Sequence, residues 1–153
     1  MTAERSPQVS YLVFRLERAV RREIERLVAP EGLSVAQYTT LSILRSRSGL
    51  SNAQLARRLW VTPQSMNEVI AVLEREQLIE RVPDAGNRRI LRTALTPRGR
   101  RVLATCDALI LAMEEEMLAD LAPAEHDHLA RSLNACVHRL SEASARRAGD
   151  QVA

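Results

Sequence analysis

Apolar residues recur at intervals of three and four along most of the chain, which is the period of an amphipathic helix. The first such run extends from Val9 to Leu27 and ends before "APEG". A second helix is predicted to begin after Ser34 and a third, "NAQLARRL", after Ser51, because serine is a favoured N-cap. The pattern therefore predicts three helices within the first sixty residues.

A fourth helix is indicated by "VTPQSMNEVI", residues 61–70. Thr62 is a suitable N-cap, and Pro63 occupies the first helical position, where a backbone N–H is not needed. The helix is predicted to continue to about Gln77. Its apolar face comprises Met66, Ile70 and Leu73. The residues left on the outer face of its first two turns are all polar: Gln64, Ser65, Asn67 and Glu68.

The pattern then changes to short alternating runs, which indicate strands. "LIERV" and "ILRTAL" are separated by "PDAGNRR", a stretch rich in turn residues, so the sequence predicts a β-hairpin. The hairpin tip carries two adjacent arginines, Arg88 and Arg89. Helical spacing resumes after Thr96 and Pro97 and reaches Leu121, and a last helix begins at "APAEH".

Two short helices joined by a tight turn and followed by a two-stranded wing make a winged helix-turn-helix. We therefore expect one domain over residues 1–153, mainly α with a small β-hairpin, whose winged helix-turn-helix lobe spans 34–96. The flanking helices, 8–30 and 97–146, carry apolar stripes that a single small lobe would leave uncovered. Pairing of these long dimerisation helices with a second copy is the simplest way to bury the stripes.

The charge distribution adds a functional hint. The chain has 22 basic and 19 acidic residues, and every basic residue is arginine, which suits phosphate and guanine contacts better than lysine. Residues 51–102 hold 10 Arg and 5 acids, whereas residues 103–153 hold 4 Arg and 9 acids. A basic centre carried on a helical scaffold is typical of a module that binds a polyanion. A solvated charged face is the alternative explanation.

Several functional classes lack their sequence signals. No run of about 18 apolar residues predicts a membrane span, and "MTAERSPQVS" lacks the apolar core of a secretion signal, so we expect a cytoplasmic protein. Cys106 and Cys136 are expected to be reduced and to pack as small hydrophobes. His126 and His128 lie on different sides of a helix, so neither a metal site nor a cofactor is expected. No nucleophile elbow or phosphate loop indicates an enzyme.

The stretch "LARRLWVTPQSMNEVIAVLEREQLIERVPDAGNRRILRTALTPRGRRVL", residues 55–103, resembles the core of the MarR family of bacterial transcription regulators. The similarity lies in the pattern of residues along the two helices, in the basic turn and in the closing "LTPRG". It implies a homodimer held by the N- and C-terminal helices. It also implies that the fourth helix enters the major groove of double-stranded DNA, that the wing reaches the adjacent minor groove, and that a pocket accepts a small-molecule effector.

The polar face of the fourth helix fits this implied role, because the first turns of a recognition helix lie nearest the base edges. The amides of Gln64 and Asn67 can pair with adenine. Glu68 can accept a hydrogen bond from the N4 amine of cytosine. Ser65 can contact donor or acceptor edges and so does not favour one base. A merely solvated face is the alternative, although it would more commonly carry pairs of acidic and basic residues.

The wing supplies the second contact that the resemblance implies. In the family pattern an aspartate stands two residues before the arginine that enters the minor groove, here Arg89, but this chain has Asn87 at that position. An amide can still orient a guanidinium by hydrogen bonding. Narrow A·T-rich grooves attract such arginines, and the alternative is that they are solvated turn residues. The candidate DNA-binding residues are Ser51, Thr62, Gln64, Ser65, Asn67, Glu68, Arg88 and Arg89.

Two further expectations concern aromatic residues. Trp60 lies in the turn before the fourth helix, where glycine is common because it accepts a left-handed conformation. We expect its indole to pack into the lobe rather than to stack on a base. Tyr11, Arg15 and Tyr38 fall where the first two helices are predicted to line a cleft for the effector, and their alternative role is in the core or an interface.

Together these observations favour a homodimeric repressor that binds a pseudo-palindromic operator and is released by an effector. The principal alternative is a helical dimer that binds another protein through the same basic face and does not bind DNA. Salt dependence separates the two, because contacts to phosphates weaken steeply as the salt concentration rises.

Overall fold

A computed structural model describes residues 8–150 and consists mostly of α-helix with an antiparallel hairpin. The elements follow one another in the predicted order, so the predicted fold class, mainly α with a small β-hairpin, is confirmed. A 3-10 turn at Ala29–Glu31 follows the first helix. The bounds are α1 Val9–Val28, α2 Val35–Ser46, α3 Asn52–Leu59, α4 Pro63–Arg75, β1 Ile79–Pro83, β2 Leu91–Leu95, α5 Pro97–Met117 and α6 Pro123–Asp150.

The predicted helix starts are confirmed by their caps. The Ser34 hydroxyl accepts from the backbone N–H of Gln37, and the Gln37 side chain accepts in return from the backbone N–H of Ser34. Ser51 and Gln54 form the same reciprocal pair at the start of α3. Each pair satisfies two backbone donors that the helix itself cannot. The two helix starts are therefore fixed by local sequence.

The predicted helix ends are less accurate. α4 ends at Arg75, two residues earlier than expected, because Gln77 adopts a left-handed conformation with φ of 56°. The N–H of Leu78 then donates to the carbonyl of Leu73, which closes the last turn. α5 ends at Met117 rather than near residue 121, whereas α6 continues to Asp150, beyond the expected end at 146.

The chain divides into two compact units within α5, between Ala112 and Met113. In the first unit, side chains from α2, α3, α4, the hairpin and the start of α5 form a single apolar core. Val28, at the end of α1, also belongs to this core. The large side chains that are almost completely buried are Leu41, Leu44, Leu55, Met66, Ile70, Leu73 and Leu103.

The hairpin is tied to the segment that precedes α3. β1 pairs with β2 so that Ile79 lies opposite Leu95, and both side chains are buried. Thr93 of β2 also forms an isolated bridge with Leu50. The backbone N–H of Thr93 donates to the carbonyl of Leu50 at 3.2 Å, and the N–H of Gly49 donates to the carbonyl of Thr93 at 2.9 Å. The wing is therefore joined by backbone hydrogen bonds to the start of the helix-turn-helix.

The start of α5 lies unusually close to the end of α4. Thr96 caps α5 by accepting from the N–H of Gly99 at 2.9 Å, and its own hydroxyl donates to the carbonyl of Gln77 at 2.7 Å. A Cβ atom on Gly99 would overlap the backbone carbonyl of Leu78. The glycine of "LTPRG" is thus explained by a close backbone approach rather than by a turn.

Trp60 confirms one expectation and contradicts another. It has left-handed angles, φ 55° and ψ 37°, at the C-terminal end of α3, as expected for a position that favours glycine. Its side chain, however, is 59% exposed, so the prediction that the indole packs into the lobe was wrong. The left-handed turn directs the side chain outward, although its apolar character favours burial.

Exposed apolar side chains concentrate on the long flanking helices. In the first unit, the N-terminal half of α1 exposes Val9, Tyr11, Leu12, Val13, Phe14 and Leu16. In the second unit, α6 exposes Leu133, Val137 and Leu140, and His126 contacts the carbonyl of Leu118 at 2.9 Å. None of the helices within residues 8–150 has the length and hydropathy needed to cross a membrane.

We expect Gly99→Ala to lower the free energy of unfolding by about 2–3 kcal/mol, because a Cβ forces the Leu78 backbone away from α5. Gly86→Ala is the matched control, since its new methyl group would meet only the Asp84 side chain, at 3.4 Å. It should change the free energy by about 0.5 kcal/mol or less. Urea denaturation measures both values. Equal effects of the two substitutions would contradict the role given to the close approach.

Candidate nucleic-acid interface

The core fixes which side of α4 faces outward. Met66, Ile70 and Leu73 are each 1% exposed or less and anchor one side of the helix in the lobe. The four predicted base-reading residues are all exposed on the remaining surface: Gln64, Ser65, Asn67 and Glu68. Because the buried stripe leaves no freedom of rotation about the helix axis, these polar groups form a defined face rather than an arbitrary one.

The N-terminus of α4 is held by hydroxyl groups. Thr62 accepts from the backbone N–H of Ser65 at 3.1 Å, and the two side-chain hydroxyls lie 2.9 Å apart. Pro63 follows the cap and has no N–H to satisfy. Thr62 and Ser65 are thus brought together, while Ser51 has the equivalent capping role at the start of α3. Such helix N-termini carry partial positive charge that favours phosphate.

Asn67 has a partner on the neighbouring helix. The Nδ2 of Asn52, the first residue of α3, donates to the Oδ1 of Asn67 at 2.7 Å. The side chains of Gln64 and Glu68 form no hydrogen bond with any residue between 8 and 150. The polar face therefore combines one amide that is already oriented with two side chains free to adapt.

The turn of the wing is organised by Asp84. Its Oδ1 accepts from the backbone N–H groups of Gly86 and Asn87, each at 3.0 Å. Its Oδ2 accepts from the Nε of Arg92 at 2.7 Å. These hydrogen bonds, that of Arg92 first, lower the pKa of the Asp84 carboxyl below its ordinary value. The carboxylate is therefore charged throughout the neutral range.

Arg92 links the wing to the helix-turn-helix. Besides Asp84, its guanidinium donates to the carbonyl of Gly49 at 3.1 Å and approaches Oε1 of Gln54 in α3 at 3.5 Å. One half-buried side chain thus contacts the wing, the segment before α3 and α3 itself. Its position limits movement of the wing relative to the two helices.

The predicted arginines lie on this braced turn, and the structure revises the role of Asn87. The side chains of Arg88 and Arg89 are exposed. Asn87 Oδ1 accepts from the backbone N–H of Arg89 at 3.1 Å, so the amide orients the backbone rather than the guanidinium. Neither arginine forms an ion pair with an acid among the described residues. Both cationic groups are therefore available to a polyanion.

The three candidate effector residues have different environments. On α1, the exposed Arg15 lies over the ring of Tyr11, 5.8 Å from its centroid. Tyr38 is buried, and its hydroxyl donates to Oδ1 of Asp107 in α5 at 3.0 Å, where Asp107 also pairs with Arg45. Within the described part of the chain, no hydrogen bond or cation–π contact joins Tyr38 to the α1 pair.

The remaining candidate groups have structural contacts. Cys106 is fully buried, as expected for a small hydrophobe, and burial raises the pKa of its thiol, whereas Cys136 is exposed. His126 contacts a backbone carbonyl. Across residues 8–150, no group of three or more His, Cys, Asp or Glu side chains is placed to hold a metal ion.

Comparison with known proteins identifies the family. The sequence profile of the MarR family matches residues 33–91. The HTH-type transcriptional repressor Rv2887 of Mycobacterium tuberculosis is 33% identical over 125 residues, which span 82% of this chain and 90% of that protein. This chain belongs to the MarR family.

Solved structures of a MarR relative agree with the fold. The crystal structure of the M. tuberculosis MarR family protein Rv2887 in complex with DNA has a TM-score of 0.71 and 31% identity, and covers 86% of this chain and 98% of that one. The same protein in complex with salicylic acid has a TM-score of 0.70 and 30% identity, over 88% and 99% of the two chains. The winged helix-turn-helix architecture predicted from sequence is therefore shared with MarR proteins.

Three residues of this candidate interface were not predicted from the sequence: Asn52, Asp84 and Arg92. Asn52 follows a serine cap, and nothing local indicates a contact with a residue fifteen positions later. Asp84 was included in the turn but not recognised as its acceptor. The only signal for Arg92 in the sequence is the alternation of the strand. Arg92 is a charged residue between Leu91 and Thr93, and Thr93 is buried.

We expect the wing of this MarR protein to loosen in acid. Because the pKa of Asp84 is lowered on folding, its stabilising contribution is complete above the ordinary value of 3.8 and is lost as the pH falls through the lower folded value. NMR shifts of the Gly86 and Asn87 amides should inflect below pH 3.8 in the wild type and not in Asp84→Asn. The control Glu80→Gln, on the exposed side of β1, should retain the inflection. An inflection that persists in Asp84→Asn would contradict its assignment to the Asp84 carboxyl.

Proposed function

We propose that this chain is a cytoplasmic, sequence-specific transcriptional repressor that binds a pseudo-palindromic operator as a homodimer. The observation that carries the proposal is the polar face of α4, fixed outward by the buried Met66, Ile70 and Leu73. Its amides, hydroxyl and carboxylate match the donors and acceptors of major-groove base edges. The name of Rv2887 as a repressor and its complex with DNA support the same function.

In this proposal the lobe of residues 34–96 contacts DNA through two elements. α4 enters the major groove with Gln64, Ser65, Asn67 and Glu68, while Ser51 and Thr62 mark helix N-termini that approach phosphates. The exposed Arg88 and Arg89 reach into the adjacent minor groove, which attracts guanidinium groups where it is narrow. Two copies of α4 would contact half-sites about 10 bp apart.

Dimerisation through helices 8–30 and 97–146 is supported by their exposed apolar side chains. In the first unit, Phe14 is 57% exposed and Val9 73%. In the second unit, Val137 is 53% exposed and Leu140 65%. Contiguous apolar surfaces of this kind mark interaction sites in soluble proteins. A second copy of the chain is the partner that a pseudo-palindromic operator requires.

Fragments selected from genomic DNA provide the test of this function. Wild-type protein should bind them with two chains per duplex and lose affinity about a thousandfold between 50 and 200 mM salt. Arg89→Ala should weaken binding most on sites with A·T-rich flanks, because the guanidinium responds to groove width. Arg139→Ala, an exposed arginine of α6, is the matched control and should retain the wild-type preference for flanks. Fluorescence anisotropy and sedimentation provide the measurements.

Two outcomes would contradict the proposed function. A monomer in solution, or a chain that ignores every duplex at low ionic strength, would favour the alternative of a module that binds another protein. If Arg89→Ala instead lowers the affinity equally for sites with every flanking sequence, Arg89 contacts a phosphate.

We also propose that a small aromatic carboxylate releases the protein from DNA, with Tyr11, Arg15 and Tyr38 as the candidate contacts. The salicylic acid complex of Rv2887 supports this chemical class. Arg15 supplies a cation for the carboxylate, and Tyr11 supplies a ring for stacking. An effector can displace DNA only by binding one conformation of the dimer more tightly than another.

Salicylate is the probe for the effector site. Titration calorimetry should give an affinity about tenfold lower for Arg15→Ala, which loses one charge-assisted contact of about 1.5 kcal/mol. Arg18→Ala is a closely matched control, because Arg18 lies over Phe14 at the same 5.8 Å on the same helix. Equal effects of the two substitutions, or none, would exclude Arg15 from the site. In the wild type, salicylate should also lower the affinity for the selected DNA.

A further inference from the structure

A pair of amides crosses from α3 to the exposed face of α4. Asn52 Nδ2 donates to Asn67 Oδ1 at 2.7 Å. Asn52 is held in the first turn of α3, and its own Oδ1 is inaccessible to solvent and has no partner among the described residues. Asn67 is exposed in the second turn of α4. A donor from the first turn of α3 thus contacts a side chain that faces the proposed major groove.

The contact determines which amide atom of Asn67 remains available. An asparagine pairs with adenine by using Oδ1 and Nδ2 side by side. In this structure Oδ1 is directed to α3, so Nδ2 is the atom without an intramolecular partner. Rotating the Asn67 amide by half a turn would bring its Nδ2 against the Nδ2 of Asn52, donor against donor. Asn67 therefore cannot reverse its amide without losing the bond, unless Asn52 reverses its own amide at the same time.

We propose that Asn52 is a positioning residue that makes Asn67 a hydrogen-bond donor to the base it contacts. This inference rests on the proposed DNA-binding function and deepens it. A lone donor favours the acceptor edges of guanine, adenine N7 and thymine O4, and disfavours cytosine, whose edge offers only its N4 amine. Asn67 thus selects against cytosine instead of making the bidentate adenine contact expected from its sequence alone.

Asn52→Asp is the discriminating variant. A carboxylate cannot donate, so the Asn67 amide turns to donate its Nδ2 to residue 52 and directs Oδ1 to the groove. The preference at the contacted base should then shift toward cytosine and adenine, whose edges carry an N4 or N6 amine, by about tenfold relative to guanine and thymine, the size of one net hydrogen bond. An acidic residue in the first turn of α3 is compatible with the helix dipole. The fold should therefore be retained.

The added charge is controlled separately. Ala53→Asp places the same charge one residue later, on an exposed position, and leaves the amide pair intact. It should weaken binding to all duplexes alike, without changing the base preference. In an Asn67→Ala background, which removes the contacting amide, Asn52→Asp should no longer alter the preference. The readout is relative affinity for duplexes that carry each of the four base pairs at every position of the half-site.

A measurement without DNA tests the positioning role of Asn52 separately from the proposed DNA-binding function. The side-chain amide NMR signals of Asn67 should shift in Asn52→Asp and Asn52→Ala and remain in place in Ala53→Asp. If the wild type discriminates among bases while Asn52→Asp and Ala53→Asp have identical preferences, the positioning role is overturned and the proposed function stands. If the wild type discriminates at no position, the proposed function fails, and the inference fails with it.

Discussion

The rotation of α4 about its own axis is the constraint on which the proposed site depends. Met66, Ile70 and Leu73 are buried against side chains of α2, α3 and the hairpin. Truncating any of them would leave a cavity, at about 2–5 kcal/mol for a Leu, Ile or Met changed to alanine. A helix held in this way presents the same polar residues outward in every molecule. In the proposed function, selectivity for a base sequence would begin with this apolar packing, because it decides which side chains of α4 face outward.

Polar contacts then connect the elements around α4. Arg92 joins the wing turn to Gly49 and α3, and the bridge between Leu50 and Thr93 repeats that connection through the backbone. Asn52 joins α3 to the exposed face of α4. Because the contacts share α3, the wing and α4 are held against a common element. Their separation is therefore set by the fold.

Most of the fold was predictable because its signals are local. Serine and threonine caps together with Pro63 located the starts of α2, α3, α4 and α5, while apolar spacing and "APAEH" located those of α1 and α6. The change from helical to alternating spacing located both strands. Helix ends were less predictable, since Gln77 takes a left-handed conformation that its residue type does not favour. Trp60 was misplaced for a related reason: hydrophobicity predicts burial, but backbone geometry decides where a side chain points.

The contacts that give the candidate site its chemistry could not be predicted in the same way. Asn52 with Asn67, Asp84 with Arg92, and Tyr38 with Asp107 each join residues that are 8 to 69 positions apart. Such pairs depend on how helices and strands pack, and the individual residues have no local feature that distinguishes them from solvated polar groups. Sequence identified the surface, while the structure supplied the orientation of the groups on it.

The solvent-exposed indole of Trp60 has a practical consequence. It is the only tryptophan of the chain and lies two residues before the cap of α4. All tryptophan emission therefore originates at the junction between the two helices of the helix-turn-helix. The protein carries an intrinsic optical reporter at the point where it would approach a nucleic acid, and no chemical labelling is required to observe that point.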